Sequence, residues 1–323
     1  MTPLVTEGSP PPAMHKAPLS LLVNPAAARG RSLRRLPRVL ALLRQAGVDP
    51  NVYLSSGPGD LEAEARRLAA AGTPLLVGGG DGSVHEVVNG LRAAAEETDD
   101  ATAAPAPFGL IPVGTGNDFA KAAGIPLDWQ MATRVLASRI AHALPPRRID
   151  AGRMNGRWFA NGAGVGFDAA VNRIAVGWRW PLGTAVYLGA VLRALADGVA
   201  TPRMTITAGD RPEDVVWDAP LTLANIANGP WLGGMFHIAP MADHADGELD
   251  LVIAAPVSRR RILGLLPVLV RGAHLDEPEV SHRRVTRLWI EAESPVPSHL
   301  DGESQPLAAR FEIEVVPRAL ALL

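Results

Sequence analysis

The chain has 323 residues, of which 47% are hydrophobic and 20% are charged, and this balance excludes general disorder and suits two domains. Its 31 Lys and Arg residues nearly balance 33 Asp and Glu residues, which excludes a nucleic-acid binder that relies on a basic surface but allows binding of a nucleotide. Cysteine is absent, so disulfides, thiolate metal sites and cysteine nucleophiles are excluded and a reducing compartment is favoured.

The first half of the chain alternates predicted strands and helices. Residues 1–17 are Pro-rich without the apolar stretch of a signal peptide, and they predict a disordered lead. Short apolar runs predict strands, and apolar residues at helical spacing predict helices between them. The strands are expected at Leu19–Val23, Asn51–Leu54, Pro74–Val77 and Phe108–Ile111, and the helices at Leu33–Gln45, Gly59–Ala71 and Val84–Ala95. This order predicts a Rossmann-like parallel α/β nucleotide domain over residues 18–146, with ligands bound beyond the carboxyl ends of its strands.

The second half, residues 147–323, has a different pattern. Short runs rich in Val, Ile, Trp and Phe recur between turn residues, which predicts a mainly antiparallel β-sandwich. The runs are Arg157–Asn161, Met204–Thr207, Leu221–Asn225, Leu249–Ala254, Arg287–Glu291 and Phe311–Val316, with helices expected at Thr184–Ala196 and around Arg260–Arg271. The prediction leaves open that the last residues of the chain pack against the first domain. No apolar segment reaches the roughly 20 residues that cross a bilayer, so a cytoplasmic protein is expected.

The Gly78-Gly79-Gly80-Asp81-Gly82-Ser83 loop follows a predicted strand and precedes a helix. Glycines let backbone N–H groups approach phosphate oxygens, and the helix N-terminus adds partial positive charge. A carboxylate there suits Mg²⁺ binding or orientation of a nucleophile. Taken alone, this loop fits a bare strand-to-helix turn equally well.

A second polar loop, Gly114-Thr115-Gly116-Asn117-Asp118, also follows a strand. In a parallel sheet it lies beside the first loop, which favours a nucleotide cleft over two unrelated turns.

Six segments, in order along the chain, resemble the diacylglycerol kinase catalytic-domain family, which includes bacterial lipid kinases and sphingosine kinases. The segments are Asn24-Pro25, Gly79-Gly80-Asp81-Gly82-Ser83 with His85 and Glu86 behind it, Gly114-Thr115-Gly116-Asn117-Asp118-Phe119, Asp150-Ala151-Gly152, Asp246-Gly247-Glu248 and Leu300-Asp301-Gly302-Glu303. Without this resemblance, Asp301-Gly302 would be read as a plain hairpin turn.

The resemblance implies a kinase that transfers the γ-phosphoryl group of ATP, with Mg²⁺, to a lipid hydroxyl such as that of diacylglycerol. The residues it implies at the nucleotide are Asn24, Pro25, Ala26, Ala27, Ala28, Ser55, Ser56, Gly79, Gly80, Asp81, Gly82, Ser83, Val84, His85, Thr115, Asn117 and Asp118. It implies catalytic roles for Glu303 as proton acceptor, for Asp301 two residues earlier and for Asp81, and phosphate contacts by Arg29 and Arg34. The implied metal ligands are Asp81, Asp118 and Asp150 at the phosphates, and Asp243, Asp246 and Glu248 at a structural site. The Asn24–Ala28 loop lacks the small hydroxyl and glycine residues common in the family.

Two other functions stay open at this point. An NAD kinase-like enzyme shares the Gly-Gly-Asp-Gly loop, and a non-catalytic lipid or nucleotide sensor would share the scaffold. Trp178 and Trp180 flank Arg179, a pattern that suits peripheral contact with a membrane surface, although core packing is the favoured reading of both tryptophans. The expected partner is a lipid substrate at that surface, without nucleic acid, and a homodimer is left open.

Overall fold

The computed structural model describes residues 19–97, 105–178, 185–209, 211 and 213–323. The predicted lead at residues 1–17, the start of the Thr184–Ala196 helix, Arg179 and Trp180 lie outside the described residues.

The first domain is a parallel sheet with helices on both faces, as predicted. The helices between the strands return the chain to the end of the sheet at which each strand begins, so all four strands run in the same direction. Their order in the sheet is β2-β1-β3-β4. The strands are β1 (Ser20–Val23), β2 (Asn51–Leu54), β3 (Leu75–Gly79) and β4 (Phe108–Pro112), and the helices are α1 (Arg31–Gln45), α2 (Asp60–Ala70), α3 (Asp81–Glu96), α4 (Asp118–Ala122) and α5 (Trp129–Ala141).

Alternate side chains of these strands face opposite sides of the sheet. Leu22 and Val77 belong to the core beneath α2 and α3. Leu21 and Leu76 belong to the core beneath α1 and α5. Burial on both faces explains why these strands are uninterrupted apolar runs in the sequence.

The second domain consists of two sheets that face each other across a shared apolar core. One sheet is six-stranded and antiparallel, in the order β12-β11-β10-β7-β14-β15, and the other continues the sheet of the first domain through β16, β13, β8 and β9. The strands are β5 (Arg147–Met154), β6 (Arg157–Phe159), β7 (Gly162–Gly166), β8 (Arg203–Ala208), β9 (Val215–Pro220), β10 (Leu223–Ala227), β11 (Leu249–Ala254), β12 (Val280–Val285), β13 (Arg287–Val296), β14 (Ser298–Leu300), β15 (Glu303–Ser304) and β16 (Ala308–Leu322). The predicted β-sandwich is confirmed.

Strand β16 joins the two halves of the molecule. Its early residues pair antiparallel with β13, and its last residues pair with β5 and, at Leu322, with Phe108 of β4. The register shifts between Val316 and Leu320, where Arg318 has a positive φ of 57°.

Three helices cover the outer face of the six-stranded sheet: α6 (Phe167–Gly177), α7 (Ala185–Asp197) and α8 (Arg259–Val270). Their apolar side chains form a separate cluster with Phe236 and Val257. Within the ranges given above, no helix combines the length and apolar character needed to cross a bilayer.

Candidate active site between the two domains

The two glycine loops of the first domain touch each other beyond the carboxyl ends of β3 and β4. A Cβ atom on Gly114 would lie 2.5 Å from the Cα of Gly80, so only residues without side chains allow this approach. The Asn117 amide donates to the Gly114 carbonyl oxygen at 3.3 Å and fixes the second loop. Both helix α3 and helix α4 begin here, so two helix N-termini face the same space.

Asp81, in the first turn of α3, lies close to the second loop. Its Oδ1 accepts a hydrogen bond from the Phe119 backbone N–H at 3.0 Å. The side chain is partly exposed because it faces a cavity, yet protein atoms surround it closely. Burial and the nearby Asp118 charge raise the pKa of Asp81 to about 7, whereas the Phe119 hydrogen bond and the Lys121 charge oppose the rise.

Asp118 connects the second loop to the second domain. Its two carboxylate oxygens accept from the Gly234 backbone N–H at 3.1 and 2.8 Å. Lys121 donates to Asp118 Oδ1 at 2.9 Å and to the Gly234 carbonyl at 2.7 Å, and its ammonium lies 5.3 Å from the centre of the Trp231 ring. Gly234 and Trp231 were not predicted at the site, because their loop has no recognisable motif.

The Leu300-Asp301-Gly302-Glu303 segment forms the hairpin turn between β14 and β15. Asp301 and Gly302 both have positive φ, 50° and 87°, as the central residues of a two-residue hairpin require. The turn is therefore both the plain hairpin that the residues indicate and the motif that the family resemblance indicates.

Asp301 and Glu303 occupy different environments. The buried Asp301 carboxylate accepts from three backbone N–H groups, those of Ala160, Asn161 and Gly162, at 2.7–3.0 Å. Its Oδ2 also contacts His85 Nδ1 at 3.1 Å, which links the turn to helix α3 of the first domain. Glu303 is exposed to the space between the domains, and a Cβ atom on Gly82 would lie 2.6 Å from its Oε1.

Two cavities meet at Glu303. The first, here called the polar cavity, has a volume of about 520 Å³. It is lined by most of the residues predicted at the nucleotide, namely Asn24, Pro25, Ala26, Ala27, Ala28, Ser55, Ser56, Gly80, Gly82, Ser83 and Thr115, together with Gly57, Pro58, Glu86, Gly114 and Glu303. The nucleotide residues implied by the family resemblance therefore come from four separate segments of the chain and line one space.

The second space, here called the apolar cavity, has a volume of about 330 Å³ and runs beneath helices α6, α7 and α8. Its wall is mainly aliphatic and aromatic, with Phe167, Val191, Phe236 and Leu266 as examples. Its polar end contains Asp81, Asp118, Tyr187, Asp301 and Glu303. Gly82, Thr115 and Glu303 line both cavities.

Several predicted nucleotide residues support the site without lining the polar cavity. Val84 is part of the apolar core, His85 holds Asp301, and Asn117 shapes its own loop. Gly79 is buried, and Asp81 and Asp118 line the apolar cavity instead. Arg29 and Arg34 are exposed close to the Asn24–Ala28 loop but are not among the lining residues.

The grouping of Asp150 with Asp81 and Asp118 stays a prediction, and the hydrogen bonds of Asp150 in the structure are to other parts of the chain. Asp150 is fully buried, and its carboxylate accepts from the backbone N–H groups of Gly247 and Arg318 at 2.7 and 2.6 Å. Its carboxylate therefore stabilises the irregular part of β16, where the pairing of β16 with β5 is interrupted around Arg318.

At the predicted structural metal site, the positively charged side chain of Arg284 lies between the carboxylates. Arg284 forms ion pairs with Asp246 and, at 2.8 Å, with Glu248, and the Asp243 carboxylate accepts from the Ala245 backbone N–H. Among the residues that the structure describes, no group of three or more His, Asp or Glu side chains is arranged to hold a metal ion.

Trp178 packs against helix α7. A Cβ atom on Gly189 would lie 3.0 Å from its ring, and the side chain is half-buried. Core packing, the favoured reading of this tryptophan, agrees with that contact.

Both halves of the chain match known protein families. Residues 18–148 match the family model described as "Diacylglycerol kinase catalytic domain", and residues 162–323 match the one described as "YegS C-terminal NAD kinase beta sandwich-like domain". The chain is 34% identical, over 94% of both chains, to "Diacylglycerol kinase" of Mycobacterium tuberculosis. The chain belongs to the diacylglycerol kinase and YegS-like lipid kinase family.

Other relatives of this lipid kinase are similar along nearly their whole length. The chain is 31% identical to "Probable lipid kinase YegS-like" of Chromohalobacter salexigens, over 96% of this chain and 94% of the relative. The crystal structure of a diacylglycerol kinase from Bacillus anthracis superposes with a TM-score of 0.71 over 96% of this chain and 97% of that one, at 21% identity, and shows the same fold.

Proposed function

We propose that this lipid kinase transfers the γ-phosphoryl group of ATP to the free hydroxyl of diacylglycerol or of a closely similar lipid alcohol. The observation that carries the proposal is the meeting of the polar and apolar cavities at Gly82, Thr115 and Glu303. A phosphate in one cavity and a lipid hydroxyl in the other would come together at the Glu303 carboxylate. Phosphoryl transfer depends mainly on such positioning and on neutralisation of charge.

The polar cavity suits the triphosphate. The Gly80 loop leads into the N-terminus of the 16-residue helix α3, and the backbone N–H groups at such a helix start favour phosphate oxygens. Asp81, at the polar end of the apolar cavity where the two cavities meet, offers carboxylate oxygen to a magnesium ion on the phosphates. One or two carboxylates with phosphate oxygens and water are the usual magnesium ligands. Magnesium bound with ATP would neutralise charge on the phosphates during transfer.

Glu303 is better suited than Asp301 to accept the proton. Four donors surround the oxygens of Asp301, so that carboxylate holds the turn in place. The Glu303 carboxylate has no protein hydrogen-bond donor within the described ranges. In the step proposed, Glu303 takes the hydroxyl proton while the alcohol oxygen bonds to the γ-phosphorus. The bond from that phosphorus to the bridging oxygen breaks, and ADP leaves with the electron pair.

The apolar cavity favours a lipid over a dinucleotide as acceptor. Beyond its polar end the wall is mainly aliphatic and aromatic, with Phe167, Val191 and Phe236 as examples, and a ribose placed against that part would leave its hydroxyls without partners. NAD is therefore the discriminating acceptor in the assay.

The test is transfer of radiolabelled γ-phosphate from ATP to dioctanoylglycerol in mixed micelles, with NAD in a parallel reaction. We expect label in the lipid only, and Glu303→Gln to lower kcat at least 100-fold with ATP binding unchanged, since a positioned general base contributes about 10²–10⁴. The exposed Glu293→Gln on β13 is the matched control. Label in NAD, or full turnover by Glu303→Gln, contradicts the proposal.

We further propose that the outer surface of α6, α7 and α8 contacts an anionic bilayer on the cytoplasmic side. Val176, Leu192 and Leu263 are 61%, 51% and 44% exposed, and Val176 also lines the apolar cavity. Helix α8 begins with Arg259 and Arg260, whose charges oppose the helix dipole and so have no helix-stabilising role. Exposed apolar residues beside arginines suit a headgroup interface.

Co-sedimentation with phosphatidylglycerol-containing vesicles tests this surface. The double variant Leu192→Ser/Leu263→Ser is expected to lose binding severalfold, whereas Leu144→Ser, at a position 45% exposed near the end of α5, retains it. Unchanged partitioning of the folded double variant contradicts the proposed docking surface.

A further inference from the structure

Tyr187 of helix α7 lies at the polar end of the apolar cavity, together with Asp81, Asp118 and Glu303. Its ring packs on the backbone of Gly233, where a Cβ atom would lie 3.2 Å from two ring carbons. Its hydroxyl oxygen is 3.9 Å from the position of a Cβ on Gly302, in the turn that carries Glu303. The ring is thus placed by Gly233, and the hydroxyl lies next to the turn that carries Glu303.

The Tyr187 hydroxyl remains a hydrogen-bond donor at all physiological pH values. Burial raises the pKa of Tyr187 above its usual range, and the negative charges of Asp118, Asp81 and Glu303 raise it further. Within the described residues no protein group hydrogen-bonds to this hydroxyl, which lies on a residue that lines the cavity. A ligand oxygen arriving in the cavity would supply a partner.

A diacylglycerol presents such an oxygen close to its free hydroxyl. The neighbouring carbon carries an ester, whose carbonyl accepts hydrogen bonds, while the acyl chains require an apolar wall. The hydroxyl would face Glu303, and the ester would then face Tyr187, beyond which Val191 and Phe236 line the cavity.

We propose that Tyr187 donates a hydrogen bond to the ester carbonyl next to the reacting hydroxyl and so selects acylglycerols among lipid alcohols. This inference rests on the proposed function. Tyr187 is here a specificity-determining residue for the acceptor, and the proton of the reaction still goes to Glu303.

The experiment compares the unaltered kinase and Tyr187→Phe, each on two acceptor lipids. Tyr187→Phe keeps the ring on Gly233 and removes only the hydroxyl. The two acceptors are dioctanoylglycerol and its dioctyl ether analogue, which keeps the reacting hydroxyl but lacks carbonyls. Tyr53→Phe is the control, because Tyr53 is the other of the two tyrosines and its hydroxyl bonds to Asp60 at 2.7 Å, away from the apolar cavity.

For Tyr187→Phe we expect kcat/KM to fall about tenfold with dioctanoylglycerol, mainly through KM, because one neutral hydrogen bond to bound substrate is lost. With the ether analogue we expect less than a twofold change. Tyr53→Phe should leave the ratio between the two lipids unchanged. Binding of dioctanoylglycerol without ATP, followed by calorimetry, should weaken by the same factor of about ten in Tyr187→Phe.

Equal losses of kcat/KM on both lipids overturn the inference, because they would show that the Tyr187 hydroxyl acts on Glu303 or on the fold and not on the ester carbonyl. No loss on either lipid also overturns it. Failure of the unaltered kinase to label either lipid defeats the proposed function instead, and with it the inference that rests upon it.

Discussion

Gly82→Ala is the substitution that tests the position of Glu303 most directly. A methyl group on Gly82 would lie 2.6 Å from Glu303 Oε1, whereas ordinary contacts begin at 3.4 Å, so the carboxylate must move by about 0.8 Å. Gly82 is the second residue of α3, where alanine is favoured over glycine, so the protein should remain folded. Displacement of a catalytic group by about 1 Å costs on the order of 100-fold in rate. We therefore expect kcat to fall between about tenfold and 100-fold.

The assay is ATP-dependent phosphorylation of dioctanoylglycerol, with ATP affinity measured separately because Gly82 also lines the polar cavity. Gly264→Ala is the matched control, since Gly264 is also in a helix and a Cβ there meets nothing within 4 Å. Its activity should equal that of the unaltered protein. Normal kcat for a folded Gly82→Ala would refute the reasoning, because the proton acceptor would then lie elsewhere.

Three further outcomes are expected. Asp81→Asn should abolish most Mg²⁺-dependent turnover while leaving the melting temperature within a few degrees, and an unchanged magnesium titration of activity would contradict its assignment. Asp301→Ala should lower the free energy of unfolding by about 3 kcal/mol in urea titrations, because three buried backbone N–H groups lose their acceptor; a change below 1 kcal/mol would show that they find other partners. Burial lowers the pKa of His274 below its usual 6.5, so below that pH the unfolded chain binds a proton that the folded chain does not, and stability falls as pH decreases. The melting temperature should therefore drop less between pH 7.5 and pH 5.5 in His274→Gln than in the unaltered protein, and an equal drop would contradict this reading.

The parallel domain was predictable because its strands are buried on both faces. Leu75–Gly79 and Phe108–Pro112 are uninterrupted apolar runs, each followed by a glycine loop, and this pattern predicts parallel strands whose loops lie side by side. It does not determine the strand order. To predict that the loops lie together, it was enough to know that the strands are parallel.

The second domain was less predictable because its cavity depends on features that weaken sequence signals. Strand β7 carries glycines at 162, 164 and 166, which do not indicate a strand, yet Gly164 leaves room for the side chains of Asp168 and His299 above it. Tyr187 comes to the site on a helix with no recognisable motif.

The hydrogen-bond partners of Asp150 were unpredictable for a different reason. Its partners, Gly247 and Arg318, are 97 and 168 residues away along the chain, and only the irregularity of β16 brings them to it. A local motif contains no information about such partners, so the family resemblance alone assigned it to the phosphates.

Because Leu322 pairs with Phe108, the sheet of the first domain is completed only when the end of the chain has been synthesised. The first residue of β4, Phe108, has no strand on its outer side until residues more than 200 positions later have left the ribosome, and exposed strand edges invite pairing with other chains. A fragment cut at the domain boundary would keep that edge uncovered. We therefore expect the excised first domain to aggregate, and the halves to recover as a folded pair only when co-expressed.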